Sequence, residues 1–245
     1  MRILAIDAGN SRVKWGVHDG EHWLVQDRVP TAQAGQLRRA WEGLGAVEVA
    51  VATNVAGPGV ERTLTAAGRK LRAPIRYVKS RAAQCGVVSS YERPGQLGPD
   101  RWAALIGAWH LYRGPCVVVD AGTTMTVDAL TGDGVFLGGT IVAGLDVLLR
   151  VLARETAGLR VQAGRYAFFP SRTADAIASG ALNALSGAVE RMACYMSEAG
   201  LPAPLVVVTG GSASVIAAQL NGPVEVVDNL VLEGLLRIAL ESSLS

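Results

Sequence analysis

The residues best suited to chemistry are carboxylates placed where an apolar run breaks on glycine. RILAID (residues 2–7) runs into DAGNSRVK, and CVVVD (116–120) runs into DAGTT, so Asp7 and Asp120 occupy the same place in two widely separated stretches. A strand that ends in Asp and turns on Gly leaves a carboxylate at its tip and bare backbone N–H groups in the turn, which together can cradle a phosphate beside a cation. One Asp-Ala-Gly is only turn chemistry. Two copies, each after an apolar run and followed by Asn-Ser or Thr-Thr, point to a duplicated lobe whose turns face each other across a nucleotide cleft. LVVVTGG (205–211) adds Gly210 and Gly211 at a third strand end, where a nucleoside could lie against bare backbone. Lys14, on the polar side of the second strand, can reach a phosphate as a point charge. Asp100 stands at a predicted helix start, where the macrodipole favours negative charge, and Arg101 beside it offers a forked donor for a carboxylate or phosphoryl oxygen. GxGxxG and GxxxxGK[ST] are both absent, which excludes the Rossmann and Walker readings.

The pattern of elements that must carry these residues is α/β. Short strands are expected at 2–7, 12–18, 22–29, 48–53 and 75–78, with helices near 33–44 and 60–70. A helix over 98–113 opens on Gly98 and Pro99 and stops at Gly114-Pro115. Strand, turn and strand then repeat over 116–130, followed by a strand at 135–142 and a helix near 145–156. Residues 173–200 read as one long helix, with Thr173 as its N-cap and Gly200 as its stop. Strands at 205–209 and 225–227, separated by a helix, precede a final amphipathic helix, LVLEGLLRIALES. No low-complexity linker interrupts the chain, which divides into an expected N-terminal lobe, 1–114, and C-terminal lobe, 115–245.

Composition bounds the function. The 245 residues are 50% hydrophobic and 18% charged, enough to bury a substantial core. Net charge is +2, but the first 114 residues carry 16 basic and 9 acidic side chains and the rest 7 and 12, so the two halves differ in sign. The cluster Arg69, Lys70, Arg72, Arg76, Lys79 and Arg81 has a single aromatic neighbour, Tyr77, and no nucleic-acid reading motif, so it reads as a solvated face. Cys85, Cys116 and Cys194 lack metal-ligand spacing and pair with none of the three histidines, which excludes a zinc site or a disulfide framework. With no signal segment and no uncharged run of about 18 residues, the expectation is a cytoplasmic protein with no membrane or nucleic-acid partner.

DAGNSRVK, YERPGQLGPDRW, DAGTTMTVD, GGTIVAGL, TADAIASG and VVVTGG occur in the order found in type III pantothenate kinases, and the likeness runs over residues 3–236. The chain therefore resembles that family, which sits in the acetate and sugar kinase, Hsp70 and actin superfamily. The resemblance implies a duplicated ribonuclease H-like (actin-like ATPase) fold, with two mixed-sheet lobes flanking a nucleotide cleft. It implies a homodimeric enzyme that phosphorylates pantothenate from ATP, using Mg²⁺ and a monovalent cation, K⁺ or NH₄⁺. By the same resemblance Asp100 is the catalytic base, and Asp7 holds Mg²⁺ while Gly9, Asn10, Ser11 and Lys14 meet the phosphates. Gly122, Thr123 and Thr124 meet them from the second turn, beside Asp120 at the monovalent cation. Tyr91, Gly98, Asp100 and Arg101 form the pantothenate pocket, with Thr173 reaching it from a partner subunit, and Gly210 and Gly211 take the adenosine.

Three departures stand out. Ser11 replaces the usual Thr and keeps the hydroxyl, Ala143 replaces the proline of GGxIxPG, and ATNVAG (52–57) is similar to Bvg accessory factor proteins, discussed as transcriptional regulators. Two alternatives follow, a non-catalytic regulatory accessory protein of the same fold, and a kinase of the superfamily acting on another hydroxyl. Both phosphate turns, Asp100 and Lys14 are intact, which favours the enzyme.

Overall fold

The computed structural model describes residues 1–71, 73–155 and 164–242. In chain order the elements are β1 (Ile3–Ala8), β2 (Arg12–His18), β3 (Trp23–Pro30), α1 (Leu37–Glu42), β4 (Val49–Asn54), α2 (Pro58–Ala67), β5 (Ile75–Tyr77), β6 (Ala83–Gln84), β7 (Val87–Ser89) and α3 (Pro99–Tyr112). They continue with β8 (Cys116–Ala121), β9 (Thr124–Leu130), β10 (Val135–Ala143), α4 (Leu145–Glu155), α5 (Thr173–Glu198), β11 (Leu205–Thr209), α6 (Ala213–Ala217), β12 (Val224–Val226) and α7 (Leu230–Glu241). Two compact units result, Met1–Tyr112 with Asn229–Ser245, and Arg113–Asp228.

In the first unit the strand order is β3-β2-β1-β4-β5, with β1, β2 and β3 antiparallel and β4 and β5 parallel to β1. Leu4, Ile6 and Ala8 of β1 and Val13, Trp15 and Val17 of β2 share one face with Ala50 and Ala52, packed against Leu37 and Trp41 of α1 and Leu64 of α2. On the opposite face lie Ile3, Ala5 and, two residues on, Asp7, because side chains alternate along a strand. Helix α7 packs on β1 and β4, and α3 packs on β4 and α7. With both faces covered, β1 reads as a continuous apolar run rather than an alternating one.

The five strands of the second unit run β10-β9-β8-β11-β12, with β8, β9 and β10 antiparallel and β11 and β12 parallel to β8. Order and direction match the first unit strand for strand, so the duplication inferred from the two DAG stretches is a duplication of topology. Val117, Val119, Ala121, Met125 and Val127 pack with Leu185 and Val189 of α5 and Ile216 of α6. Asp120 alternates onto the other face, as Asp7 does.

Several elements differ from expectation. The helix expected over 33–44 is a 3-10 segment, Thr31–Gln36, broken at Gln33, followed by the short α1. Gly35 and the absence of a capping side chain leave that stretch weak. The helix expected over 60–70 is α2 from Pro58 to Ala67, with a 3-10 turn from Gly68 to Lys70. The hairpin β6–β7 was not expected at all. Its two-residue turn is Cys85-Gly86, both at positive φ (51° and 80°). That geometry is one that Asn-Gly usually announces. Thr173 is the first helical residue of α5 and not its cap. Arg172 takes the cap position, its carbonyl accepting from Ala176 N–H (2.9 Å). Gly200 does stop α5, at φ +76°, where Gly200 N–H donates to Ser197 O and Leu201 N–H to Met196 O. These bonds make a Schellman motif. Of the basic cluster, Arg69, Arg76, Lys79 and Arg81 are exposed or part-exposed, while Arg72 lies outside the described residues, as does residue 156 at the end of the helix expected near 145–156.

The expected division at 114/115 put the C-terminal helix with the second half, whereas α7 groups with the first unit because its packing partners are α3, β1 and β4. Its approach to α3 is backbone to backbone. A Cβ on Gly234 would lie 1.8 Å from Ala103 O, and one on Gly107 2.5 Å from Leu230 O. Gly234→Ala is expected to force the two helices apart and to destabilise the protein by about 1–3 kcal/mol, checked by chemical denaturation.

Candidate active site

The first turn, Gly9 to Arg12, joins β1 to β2. Asp7 is in register with Lys14, and residues directly opposite on neighbouring strands project to the same face. Gly9 N–H closes the turn on Arg12 O (3.0 Å). Thr31, just after β3, holds it from outside, its hydroxyl donating to Gly9 O (2.7 Å) and its N–H to Ser11 O (3.0 Å). Asn10 and Ser11 are exposed at the tip, and Asp7 and Lys14 are part-buried. Across the parallel pairing, Thr53 of β4 is in register with Asp7 and donates to its Oδ1 at 3.0 Å.

A second group forms in the same unit at the start of α3. Gly98 O accepts the first helical bond, from Trp102 N–H (3.0 Å), and Pro99 needs no donor there. Asp100 Oδ1 accepts the Arg101 N–H at 2.8 Å, so the carboxylate satisfies one of the unpaired helix-start donors. A Cβ on Gly98 would come within 2.6 Å of that oxygen, so the carboxylate occupies the space that a larger residue would fill. Arg101 is buried, and its Nη1 donates to the Tyr91 hydroxyl at 3.4 Å. The guanidinium carbon lies 6.0 Å from the centre of the Tyr91 ring, within reach of a cation–π attraction. Ser80 donates to Leu97 O (2.8 Å) and Gly98 O (3.4 Å), fixing the approach to the helix, and Trp102 Nε1 donates to Gln84 Oε1 (3.1 Å), tying the β6–β7 hairpin to α3.

The third group lies in the second unit. Gly122, Thr123 and Thr124 make a turn one residue shorter than the first, closed by Gly122 N–H to Thr124 O (3.1 Å), with both threonines exposed. Gly144 backs it, its N–H donating to Thr123 O (3.0 Å), and a Cβ there would sit 2.1 Å from Gly122 O. Ala143, where the family has proline, ends β10 in register with Thr124, and Gly144 is what fixes the chain at that point. Gly210, at φ +101°, lies directly on Asp120 and Ala121: an added Cβ would be 2.7 Å from Asp120 Oδ1 and 2.6 Å from the Ala121 carbonyl carbon. Ser212 N–H donates to Ala121 O (3.0 Å), joining the DAG turn to the Gly-Gly turn, with Gly211 exposed.

All the candidate residues except Thr173 fall into these three groups; Thr173 is exposed at the first position of α5. Thr31, Thr53, Ser80 and Gly144 were not foreseen as site residues. Gly144 stood in a quoted motif, directly after a strand, where its need for close approach could have been suspected. The others depend on pairings between distant strands and loops that carry no local signal.

Among the described residues no three His, Cys, Asp or Glu side chains gather to hold a metal. Mg²⁺ takes one or two carboxylates and completes its shell from water and phosphate, and the part-buried Asp7 carboxylate beside an open turn fits such a role. The cysteines are free thiols. Burial, aided by Glu241, pushes Cys85 up to about 12, and burial alone raises Cys116 to about 11. Neither is therefore a nucleophile at neutral pH.

The same two-unit architecture appears in solved structures. A Campylobacter jejuni protein described as a Baf family transcriptional activator aligns over 99% of this chain and 100% of its own, with TM-score 0.65 and 20% identity. A Sinorhizobium meliloti protein described as a 2-dehydro-3-deoxygalactonokinase aligns over 98% and 99%, with TM-score 0.58 and 18% identity. The fold is that of the actin-like ATPases and sugar kinases. More closely, the family model for type III pantothenate kinase matches residues 3–194. The type III pantothenate kinase of Nitrosospira multiformis is 45% identical over 241 residues, 98% of this chain and 92% of that relative. The chain belongs to the type III pantothenate kinase family.

At pH 8 a thiol raised to about 12 is ionised in about one molecule in ten thousand. Iodoacetamide at that pH is therefore expected to leave Cys85 and Cys116 unmodified while reaching exposed Cys194 first, as peptide mass spectrometry would report.

Proposed function

We propose that this protein transfers the γ-phosphoryl group of ATP to the primary hydroxyl of pantothenate, giving phosphopantothenate, the first step of coenzyme A biosynthesis. The observation that carries the reading is the start of α3, where Asp100, Arg101, Gly98 and Tyr91 are gathered in a chain of this family. Phosphoryl transfer rests on positioning and charge neutralisation, so the base need only accept the hydroxyl proton late. Asp100 fills that role. Arg101, held by Tyr91, presents its fork to the pantothenate carboxylate or the incoming phosphoryl oxygens.

The remaining assignments follow family membership. Asp7 holds Mg²⁺, which when bound neutralises and orients the phosphates. Gly9, Asn10, Ser11 and Lys14 contact the phosphates, as do Gly122, Thr123 and Thr124. Asp120 sits beside K⁺ or NH₄⁺, and Gly210 and Gly211 take the adenosine against backbone that no Cβ obstructs. Thr173, exposed at its helix start, reaches the pantothenate pocket of a partner subunit in a homodimer. The protein works in the cytoplasm; no helix among the described residues is long and apolar enough to cross a membrane.

Purified protein is expected to convert ATP and pantothenate to ADP and phosphopantothenate only with Mg²⁺ and either K⁺ or NH₄⁺, in a coupled ADP assay. Absence of turnover under those conditions would overturn the reading. Asp100→Asn keeps the acceptor for the Arg101 N–H and should fold normally, yet lose about 100-fold or more in kcat; full activity would remove Asp100 from the role of base.

A further inference from the structure

Thr53 is completely buried on β4, in register with Asp7, and its hydroxyl donates to Asp7 Oδ1 at 3.0 Å. Its neighbour two positions back is Val51, on the same face of the strand, so an isosteric valine at 53 would pack equally well. A buried hydroxyl is unfavourable unless it is hydrogen-bonded, and a bond to a carboxylate is among the stronger ones. The β-branched side chain also restricts the direction of the donor. The strand end that carries it is fixed on both sides: Val55 N–H donates to Ala8 O (3.0 Å), and Asn54 closes the following turn through Ala56 N–H and Gly57 O (3.0 Å each).

The second unit supplies an internal comparison. Thr209 of β11 faces Asp120 in the same register and is also buried, yet its hydroxyl donates to Asp228 O at 3.3 Å. Gly210 lies close against Asp120 in this copy. Both copies of the fold place a threonine beside the strand-end aspartate. In the first copy the threonine serves the carboxylate.

We propose that Thr53 is a positioning residue for the metal–nucleotide: by donating to Asp7 it holds the carboxylate in one orientation and sets the affinity for Mg²⁺-bound nucleotide. The proposal rests on the reading of Asp7 as the magnesium residue. Binding of ADP measured calorimetrically with Mg²⁺ and with EDTA isolates the tightening that the metal provides, independently of turnover. Thr53→Val should lose about 10-fold of that tightening, with ADP binding in EDTA unchanged and the thermal midpoint reported alongside, and Thr53→Ser should restore it. Should the valine variant fail to fold, Thr53→Ala takes its place in the same comparison. Asp7→Asn should lose the tightening altogether. If Asp7→Asn loses it while Thr53→Val does not, or if Thr53→Ser behaves as Thr53→Val, the positioning role is wrong and the magnesium reading stands. If Asp7→Asn keeps it, the magnesium reading falls and the proposal with it.

Discussion

A carboxylate at the tip of a strand buried on both faces is costly unless hydrogen-bond donors or a cation meet it. Here the parallel partner brings a buried threonine to the same register as the aspartate in both units, on β4 beside β1 and on β11 beside β8, and in the first unit that threonine donates to the carboxylate. From this pairing follow the position of the two turns, the exposure of their tips and the closeness with which Gly210 lies on Asp120. The antiparallel hairpin contributes the rest, Lys14 opposite Asp7 in one unit and Thr126 opposite Asp120 in the other. Each of the two aspartates is itself anchored by strand ladders on both sides rather than by a free loop.

The two copies differ in the support their turns receive. The first turn is longer by one residue and is gripped from outside by Thr31; the second is shorter and backed by Gly144. The Asp7 carboxylate receives the Thr53 hydroxyl, and Gly210 lies close against the Asp120 carboxylate. A duplicated strand-turn-strand thus offers two differently supported turns from a single topology.

Much of this was legible in the amino-acid order because the informative features are local. Apolar runs ending in Asp-Ala-Gly, Gly98-Pro99 opening a helix and Gly200 closing one are each decided within a few residues. Thr173 was misread as a cap because its residue type suits the position, while the backbone gave that position to Arg172. The β6–β7 hairpin escaped because Cys85 stands in a left-handed turn that normally advertises itself with asparagine. Thr53 and Ser80 escaped for another reason. Their meaning lies in a partner 46 residues away for the one and 17 away for the other, and pairing at such a distance has no sequence signature of its own.

The return of α7 to the first unit has a consequence for biogenesis. As the nascent chain leaves the ribosome, residues 1–112 emerge first but lack the helix against which α3 closes, backbone on backbone at Gly107 and Gly234. The middle stretch, 113–228, carries β8 to β12 with α4, α5 and α6 and can collapse while the earlier one waits. The N-terminal portion is thus the last to be sealed. A translation product cut short before α7 would leave the groove over β1 and β4 open to chaperones and proteases.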